Sequence, residues 1–272
     1  MPEGPEVRRA ADQIERAVAG KTAHSVFFAH EHLEEWEGHL SGDRVTRVET
    51  FSKALVVVFE CGYAVYTHNQ LYGKWWIRRT GTYPKTKRSL RFSVETDDKS
   101  ALLYSASEIS VLHIDELPEH SYIAKLGPDP LRPETSREVL RERVSSPRFA
   151  RRQLAALLLD QSFVAGIGNY LRSEIAFEAR VDPVRRLSSL DANEQERLAD
   201  AIHSIVQRAY RKRGLTTDPA LAKEKKDAGW QRRDYRHYVF ARAGKACFVC
   251  GSDIERIEAA NRRLYRCLRC QS

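Results

Sequence analysis

Four of the five cysteines stand in two pairs, Cys247-Phe-Val-Cys250 and Cys267-Leu-Arg-Cys270, and no other feature limits the folding options of this chain so sharply. The C-x2-C-x16-C-x2-C spacing lies within the window of a four-thiolate zinc site. Each pair fits a tight knuckle with both sulfurs turned toward one tetrahedral ion, and the intervening residues, including Arg262-Arg263-Leu264-Tyr265-Arg266, read as a β-hairpin. Four thiolates leave no position for water, so a single structural Zn2+ is expected. Two disulfides are the competing reading, disfavoured by the intracellular setting argued below. Cys61 lies in a strand turn and is expected to be a small buried side chain.

Hydrophobic periodicity divides the remainder. Val7, Ala10, Ala11, Ile14, Ala17 and Val18 recur at helical spacing over residues 6–19, and Gly20 supplies a stop. From Lys21 to Leu112 the pattern changes to short alternating or β-branched runs at 45–50, 55–59, 64–67, 74–78, 90–95 and 102–105, separated by turn residues such as Gly42-Asp43 and Cys61-Gly62. Such a series predicts an antiparallel β-sandwich or barrel. The stretch Gly127-Pro128-Asp129-Pro130-Leu131-Arg132-Pro133 breaks it, and helical periodicity follows at 137–144, 151–159, 169–179 and 192–213. Residues 222–227, with Lys223, Lys225 and Lys226, read as a solvated, mobile connector to the terminal module. The expected class is α+β, in more than one lobe, since 272 residues exceed an average domain.

Charge identifies the class of partner. The net charge of +8 is unevenly spread: Ile205 to Ser272 hold 17 Lys and Arg against 7 Asp and Glu, a balance of +10, which leaves the first 204 residues at −2. With a pI near 9.3, this asymmetry favours a polyanion such as nucleic acid over a small neutral substrate. No segment approaches the ~20 apolar residues of a membrane-spanning helix, and no signal peptide precedes Pro2, so an intracellular, soluble protein is expected.

The N-terminus, Met1-Pro2-Glu3-Gly4-Pro5-Glu6, carries chemistry. Removal of Met1 frees a secondary amine followed at once by a carboxylate. Attack of a secondary amine on an aldehyde-level carbon yields a charged iminium, an electron sink that acidifies the neighbouring carbon. An α-amino group titrates at about 7.7–8.0 against about 10.4 for Lys, so it attacks without burial. Met-Pro starts are common, and Pro2 gains weight only from its company. Gly166-Ile167-Gly168-Asn169 opens a helix, either as an ordinary helix start or as a phosphate site built from free N–H groups with Asn169 as an added donor. Lys53 lies in a turn between two runs. In the turn His68-Asn69-Gln70-Leu71-Tyr72-Gly73, Leu71 and Tyr72 either pack inward on the sheet or form a wedge that fills the gap left by an extruded base.

Taken together, Pro-Glu-Gly-Pro-Glu at the terminus, hairpin Lys53, Gly-Ile-Gly-Asn-Tyr-Leu-Arg and a four-cysteine module ending Cys-Gln resemble the bacterial formamidopyrimidine-DNA glycosylase and endonuclease VIII family, in order and over the whole chain. The His68-to-Tyr72 loop and Tyr-Ser-Ala-Ser at 104–107 are most similar to its endonuclease VIII branch. The resemblance implies an N-terminal β-sandwich with flanking helix (1–126), a helix–two-turns–helix lobe (127–230) and a zinc finger (231–272), with damaged double-stranded DNA between the lobes. It further implies a bacterial, nucleoid-associated cytoplasmic monomer.

The implied activity is that of a bifunctional DNA glycosylase and abasic-site lyase in base excision repair, acting on oxidised pyrimidines by β,δ-elimination. The same chemistry on oxidised purines and a non-catalytic zinc-ribbon DNA binder are the alternatives. By position, Pro2 matches the nucleophile for C1′ and Glu3 the acid that assists ring opening. Lys53 matches the hairpin lysine beside the lesion phosphate, and Arg262, with Arg263 adjacent, the finger arginine. Gln70, Leu71 and Tyr72 match the void-filling loop, Asn169 a DNA contact, and Lys125 a basic DNA contact. Ala259-Ala260-Asn261 and Arg266 depart from the pattern around that arginine.

Overall fold

The computed structural model describes residues 2–271, and the expected removal of Met1 concerns a residue outside them. The chain forms two compact units, one containing Pro2 and Glu6–Lys125, the other Glu3–Pro5 and the chain from Leu126 onward.

The first unit holds most of helix α1 (Gly4–Val18), strand β1 (Ser25–Phe28), helix α2 (Glu35–Leu40) and strands β2 (Val45–Phe51), β3 (Ala54–Phe59), β4 (Tyr63–His68), β5 (Lys74–Arg79), β6 (Leu90–Glu95), β7 (Lys99–Tyr104) and β8 (Glu108–His113). They pair antiparallel in two four-stranded sheets, β1-β6-β7-β5 and β2-β3-β4-β8. One core takes Val26, Phe92, Val94 and Leu103 from the first sheet, Val48, Leu55, Val57 and Val65 from the second, and Val7, Ala11 and Ile14 from α1. This is the expected sandwich with its flanking helix. Strand β3, Ala-Leu-Val-Val-Val-Phe, is buried at every position because its second face, Ala54, Val56 and Val58, meets Tyr66 and Leu117 in a separate cluster. Two strands, β1 and β8, gave no distinct run in the sequence. Each is an edge strand, β1 only four residues long and β8 alternating Glu108 and Ser110 with Ile109 and Val111. Cys61 is exposed at the β3–β4 turn, where its N–H donates to Asp43 at 2.9 Å, so the expectation of burial is corrected.

The second unit contains helices α3 (Arg137–Ser145), α4 (Leu154–Leu157), α5 (Asn169–Glu178), α6 (Ala192–Arg211), α7 (Pro219–Asp227) and α8 (Arg232–Tyr235), then the hairpin β9 (Glu255–Ala259) and β10 (Arg262–Arg266). Leu140, Leu154, Phe163, Leu171, Ile175, Leu198, Ile202 and Ile205 share its main core. Asp191 caps α6 through the Glu194 N–H at 2.8 Å, and Glu194 returns the bond. The helix expected over 151–159 shrinks to α4, because the N–H groups of Leu154 and Ala155 donate to Arg185 and Pro183. The connector expected over 222–227 is part of α7, started by Asp218, whose carboxylate accepts the Ala220 N–H at 2.7 Å. Among the described residues no helix is long and apolar enough to cross a membrane.

Leu103, fully buried in the sandwich core, is the natural probe of its packing. Leu103→Ala is expected to cost ~2–5 kcal/mol in urea unfolding; a loss below about 1 kcal/mol would contradict the described core.

Candidate active site and metal centre

Helix α5 organises the candidate residues of the second unit. Its first N–H groups need acceptors, and its positive end attracts an anion. Both needs are met by Glu3, which is 4 % exposed: its Oε2 accepts the N–H of Gly168 at 2.8 Å and of Leu171 at 3.2 Å, its Oε1 that of Tyr170 at 2.8 Å. The phosphate reading of Gly-Ile-Gly-Asn is thereby corrected, since the protein's own carboxylate occupies this helix end. Both glycines make room for the N-terminal segment. A Cβ on Gly168 would lie 2.4 Å from the Glu3 Cδ, and one on Gly4 would lie 2.9 Å from the Gly166 Cα. Gly4 N–H donates to the Gly166 carbonyl at 2.8 Å, so the start of α1 and the residue before it are pinned at two points.

Asn169, half-buried at the start of α5, leaves its Oδ1 without a hydrogen bond among the described residues. One turn further on, Arg172 is fully buried. Its Nη1 donates to the carbonyls of Ala155 at 2.9 Å and Ala259 at 3.0 Å, and its Nη2 to those of Arg262 at 3.0 Å and Arg263 at 3.2 Å. Burial lowers its pKa to about 10; the Arg262 charge acts the same way and Glu3 opposes both. One guanidinium therefore holds the β9–β10 turn against α5. That turn is Ala260-Asn261, at φ 53° and 55°, a left-handed pair of the kind that tight hairpins require. Exposed Arg262 follows it at the head of β10.

The departures noted around Arg262 have structural partners. Arg266 Nη1 pairs with Asp182 at 2.8 Å and its Nε with Glu255 at 2.8 Å. Gln271 is buried, accepting the Cys267 N–H at 2.8 Å and donating to the Val181 carbonyl at 3.0 Å, which explains the terminal Cys-Gln. Fully buried Glu174 ties α5 to the segment entering the finger by accepting N–H groups from Tyr238, Val239 and Phe240 at 2.8–2.9 Å.

The ligand atoms of Cys247, Cys250, Cys267 and Cys270 lie within 4.8 Å of one another, with Cys250 and Cys267 at 3.4 Å and Cys247 and Cys270 at 3.9 Å. Tetrahedral thiolate ligation at ~2.3 Å places sulfurs about 3.8 Å apart, so the four residues are placed to hold one metal ion.

In the first unit, Pro2 is half-buried and Lys53 lies in the β2–β3 turn, its N–H donating to Tyr122 Oη at 3.4 Å while that hydroxyl donates to Ser52 Oγ at 3.2 Å. Burial holds the neighbouring His68 below the ordinary imidazole pKa; Glu108 opposes the shift and Lys53 adds to it. Leu71 and Tyr72 do not pack inward: they are 59 % and 68 % exposed. The Gln70 carboxamide accepts from Ser107 Oγ and donates to Glu108, both at 3.0 Å. Lys125 is exposed at the end of a short 3-10 turn, Ile123–Lys125.

Sequence reasoning gave no role to Arg172, Tyr122 or Glu108. A clue to the first was available: Arg172 and Glu174 interrupt an apolar helix face where burial demands partners.

The profile of the formamidopyrimidine-DNA glycosylase N-terminal domain matches residues 1–107, and that of the formamidopyrimidine-DNA glycosylase H2TH domain residues 126–219. Endonuclease 8 of Escherichia coli is 44% identical over 271 residues, and that of Pectobacterium atrosepticum 43% identical over 272, each covering 100% of both chains. Among solved structures, Lactococcus lactis Fpg in complex with DNA containing N7-benzyl-Fapy-dG superposes with a TM-score of 0.81 at 21% identity, covering 99% of each chain.

Gly168→Ala is expected to expel Glu3 and leave three helix N–H groups without their acceptor, at a cost of about 3 kcal/mol in denaturant unfolding. The clash disappears once Glu3 is truncated, so Glu3→Ala and Gly168→Ala should be strongly non-additive in a double-mutant cycle. Additive losses would contradict the contact.

Proposed function

The chain belongs to the formamidopyrimidine-DNA glycosylase family, whose members are DNA glycosylases with abasic-site lyase activity in base excision repair, and we propose that it removes oxidised pyrimidines through Pro2. The observation that carries this reading is the seating of Glu3 on α5: it fixes the residue bonded to Pro2, so the amine is delivered from an ordered support. Full-length likeness to endonuclease 8 supports the pyrimidine assignment, as does the exposure of Leu71 and Tyr72 in one continuous loop.

In the proposed sequence the Pro2 nitrogen, freed by removal of Met1, attacks C1′ of the damaged nucleotide and the glycosidic bond breaks. The base leaves with a proton. Glu3 exchanges the protons that sugar-ring opening and iminium formation require. The iminium makes the C2′ proton acidic; its loss expels the 3′ phosphate, and a second elimination expels the 5′ phosphate, leaving a one-nucleotide gap. Lys53 holds the phosphate beside the lesion, and Arg262 the flanking phosphates. Asn169, through its side-chain N–H, and Lys125 add contacts to the DNA. Leu71 and Tyr72, with Gln70, fill the void left by the extruded nucleotide.

Zn2+ is the ion we assign to the four cysteines; when bound it supplies a rigid fold to a hairpin that carries Arg262, and no chemistry at the lesion. The working parts are a catalytic sandwich (1–126), a helix–two-turns–helix lobe (127–230) and the finger (231–272), in a monomer of the bacterial cytoplasm associated with the nucleoid.

Purified protein is expected to cut duplexes carrying thymine glycol faster than those carrying 8-oxoguanine, and Pro2→Gly is expected to abolish both while the protein stays folded. Faster cutting at 8-oxoguanine would move the chain to purine lesions, and full activity of Pro2→Gly would end the mechanism. Chelation, or Cys250→Ser, is expected to disorder the finger and remove DNA binding while the sandwich stays folded. Undiminished DNA affinity after verified metal loss would contradict the finger's role.

A further inference from the structure

The loop between β4 and β5 exposes two large apolar side chains yet is tied down at each residue around them. Leu71 and Tyr72 are 59 % and 68 % exposed. Before them, Gln70 takes φ 45°, a left-handed conformation that costs a non-glycine residue energy and persists only where the surroundings impose it. Its N–H donates to His68 Nδ1 at 3.1 Å. Both ends of its carboxamide are committed: Nε2 donates to Glu108 Oε2 at 3.0 Å and Oε1 accepts from Ser107 Oγ at 3.0 Å. The orientation follows from the partners, since the Glu108 Oε2 accepts and the amide nitrogen donates to it. Sheet pairing supplies the anchor, since Glu108 opposes His68 in the β4–β8 register.

The far side is fixed as well. Gly73 N–H donates to the Asn69 carbonyl at 2.7 Å, and a Cβ on Gly73 would lie 2.6 Å from the Asn69 Cα, so this closure admits only glycine. The Arg88 guanidinium reaches back from the β5–β6 loop and donates to the Tyr72 carbonyl.

We propose that Ser107, Glu108 and Arg88 are positioning residues that latch the Gln70-Leu71-Tyr72 loop in its projecting shape before DNA arrives. The proposal rests on the wedge reading given above and deepens it. A wedge that enters a base stack must be ordered when it gets there; if the loop is ordered beforehand, that entropy does not count against insertion. Gln70 then acts first through the protein: its side chain is the crossbar between the loop and β8, and it reaches a DNA base only by releasing Ser107 and Glu108.

The test uses Ser107→Ala and Arg88→Ala, with Ser107→Thr restoring the hydroxyl, on the full chain. Two readouts are needed: amide hydrogen exchange over residues 69–73, and kcat/KM for lesion excision from a duplex beside cleavage of a single-stranded abasic oligonucleotide, which leaves no void to fill. Each alanine variant is expected to raise exchange in 69–73 and to lower duplex kcat/KM about tenfold, the effect of one hydrogen bond of about 1.4 kcal/mol. Single-stranded cleavage is expected to stay unchanged and Ser107→Thr to recover the duplex rate. Unaltered exchange in both alanine variants, equal losses on both substrates, or faster exchange without loss on the duplex would each overturn the latch. Wild-type protein inactive on both DNAs would instead refute the function on which the latch depends, and the latch with it.

Discussion

A carboxylate on a helix end is the contact around which the second unit is arranged. Glu3 answers the three open N–H groups at the head of α5, and that bond crosses 165 to 168 residues of sequence. The interaction is charge-assisted and buried, the setting in which hydrogen bonds are strongest and in which a missing partner costs most. It explains the glycines: Gly168 must lack a side chain for Glu3 to fit, and Gly4 must lack one to pass Gly166. Two short motifs that look independent in the sequence, Pro-Glu-Gly-Pro and Gly-Ile-Gly-Asn, are thus the two halves of one contact.

The same helix carries the constraint onward. Arg172, one turn from the Glu3 seat, spends four hydrogen bonds on carbonyls, three of them at the strand ends beside the β9–β10 turn that presents Arg262. Glu174 fixes the segment that leads into the finger. Burial pushes the Glu174 carboxyl up and its hydrogen bonds oppose the shift; a lone buried polar group would be costly, whereas side chains saturated by backbone groups are held in one place. A hairpin of five-residue strands, whose small core joins Phe177, Val239, Ile254 and Tyr265 to the cysteines, gains its orientation in this way from α5.

Much of this was legible in the sequence because it is local. Alternation gave six of the eight sandwich strands, helical spacing gave α1, α3, α5 and α6, and thiolate spacing gave the candidate metal site. What escaped was set by distant partners or by edges. Strands β1 and β8 bury too little to stand out, and α4 is cut short by carbonyls of Pro183 and Arg185. The lysines of α7 looked like a solvated run, yet Lys225 sits beside the rings of Trp230 and Phe248, at 5.4 and 5.7 Å. A Gly-rich helix start reads identically whether it awaits a phosphate or already holds a carboxylate. Only the fold tells that Glu3 has taken the place, and that Ser107 and Glu108 have taken both ends of Gln70.

The central claim is that the nucleophile is the imino nitrogen of Pro2, carried by the seat of Glu3. Its most direct test is borohydride reduction of the protein on a duplex containing an abasic site, followed by mass-spectrometric mapping of the attached nucleotide. The account predicts a single adduct on the N-terminal peptide, at the nitrogen of Pro2. An adduct at Lys53, or at any other lysine, would contradict it.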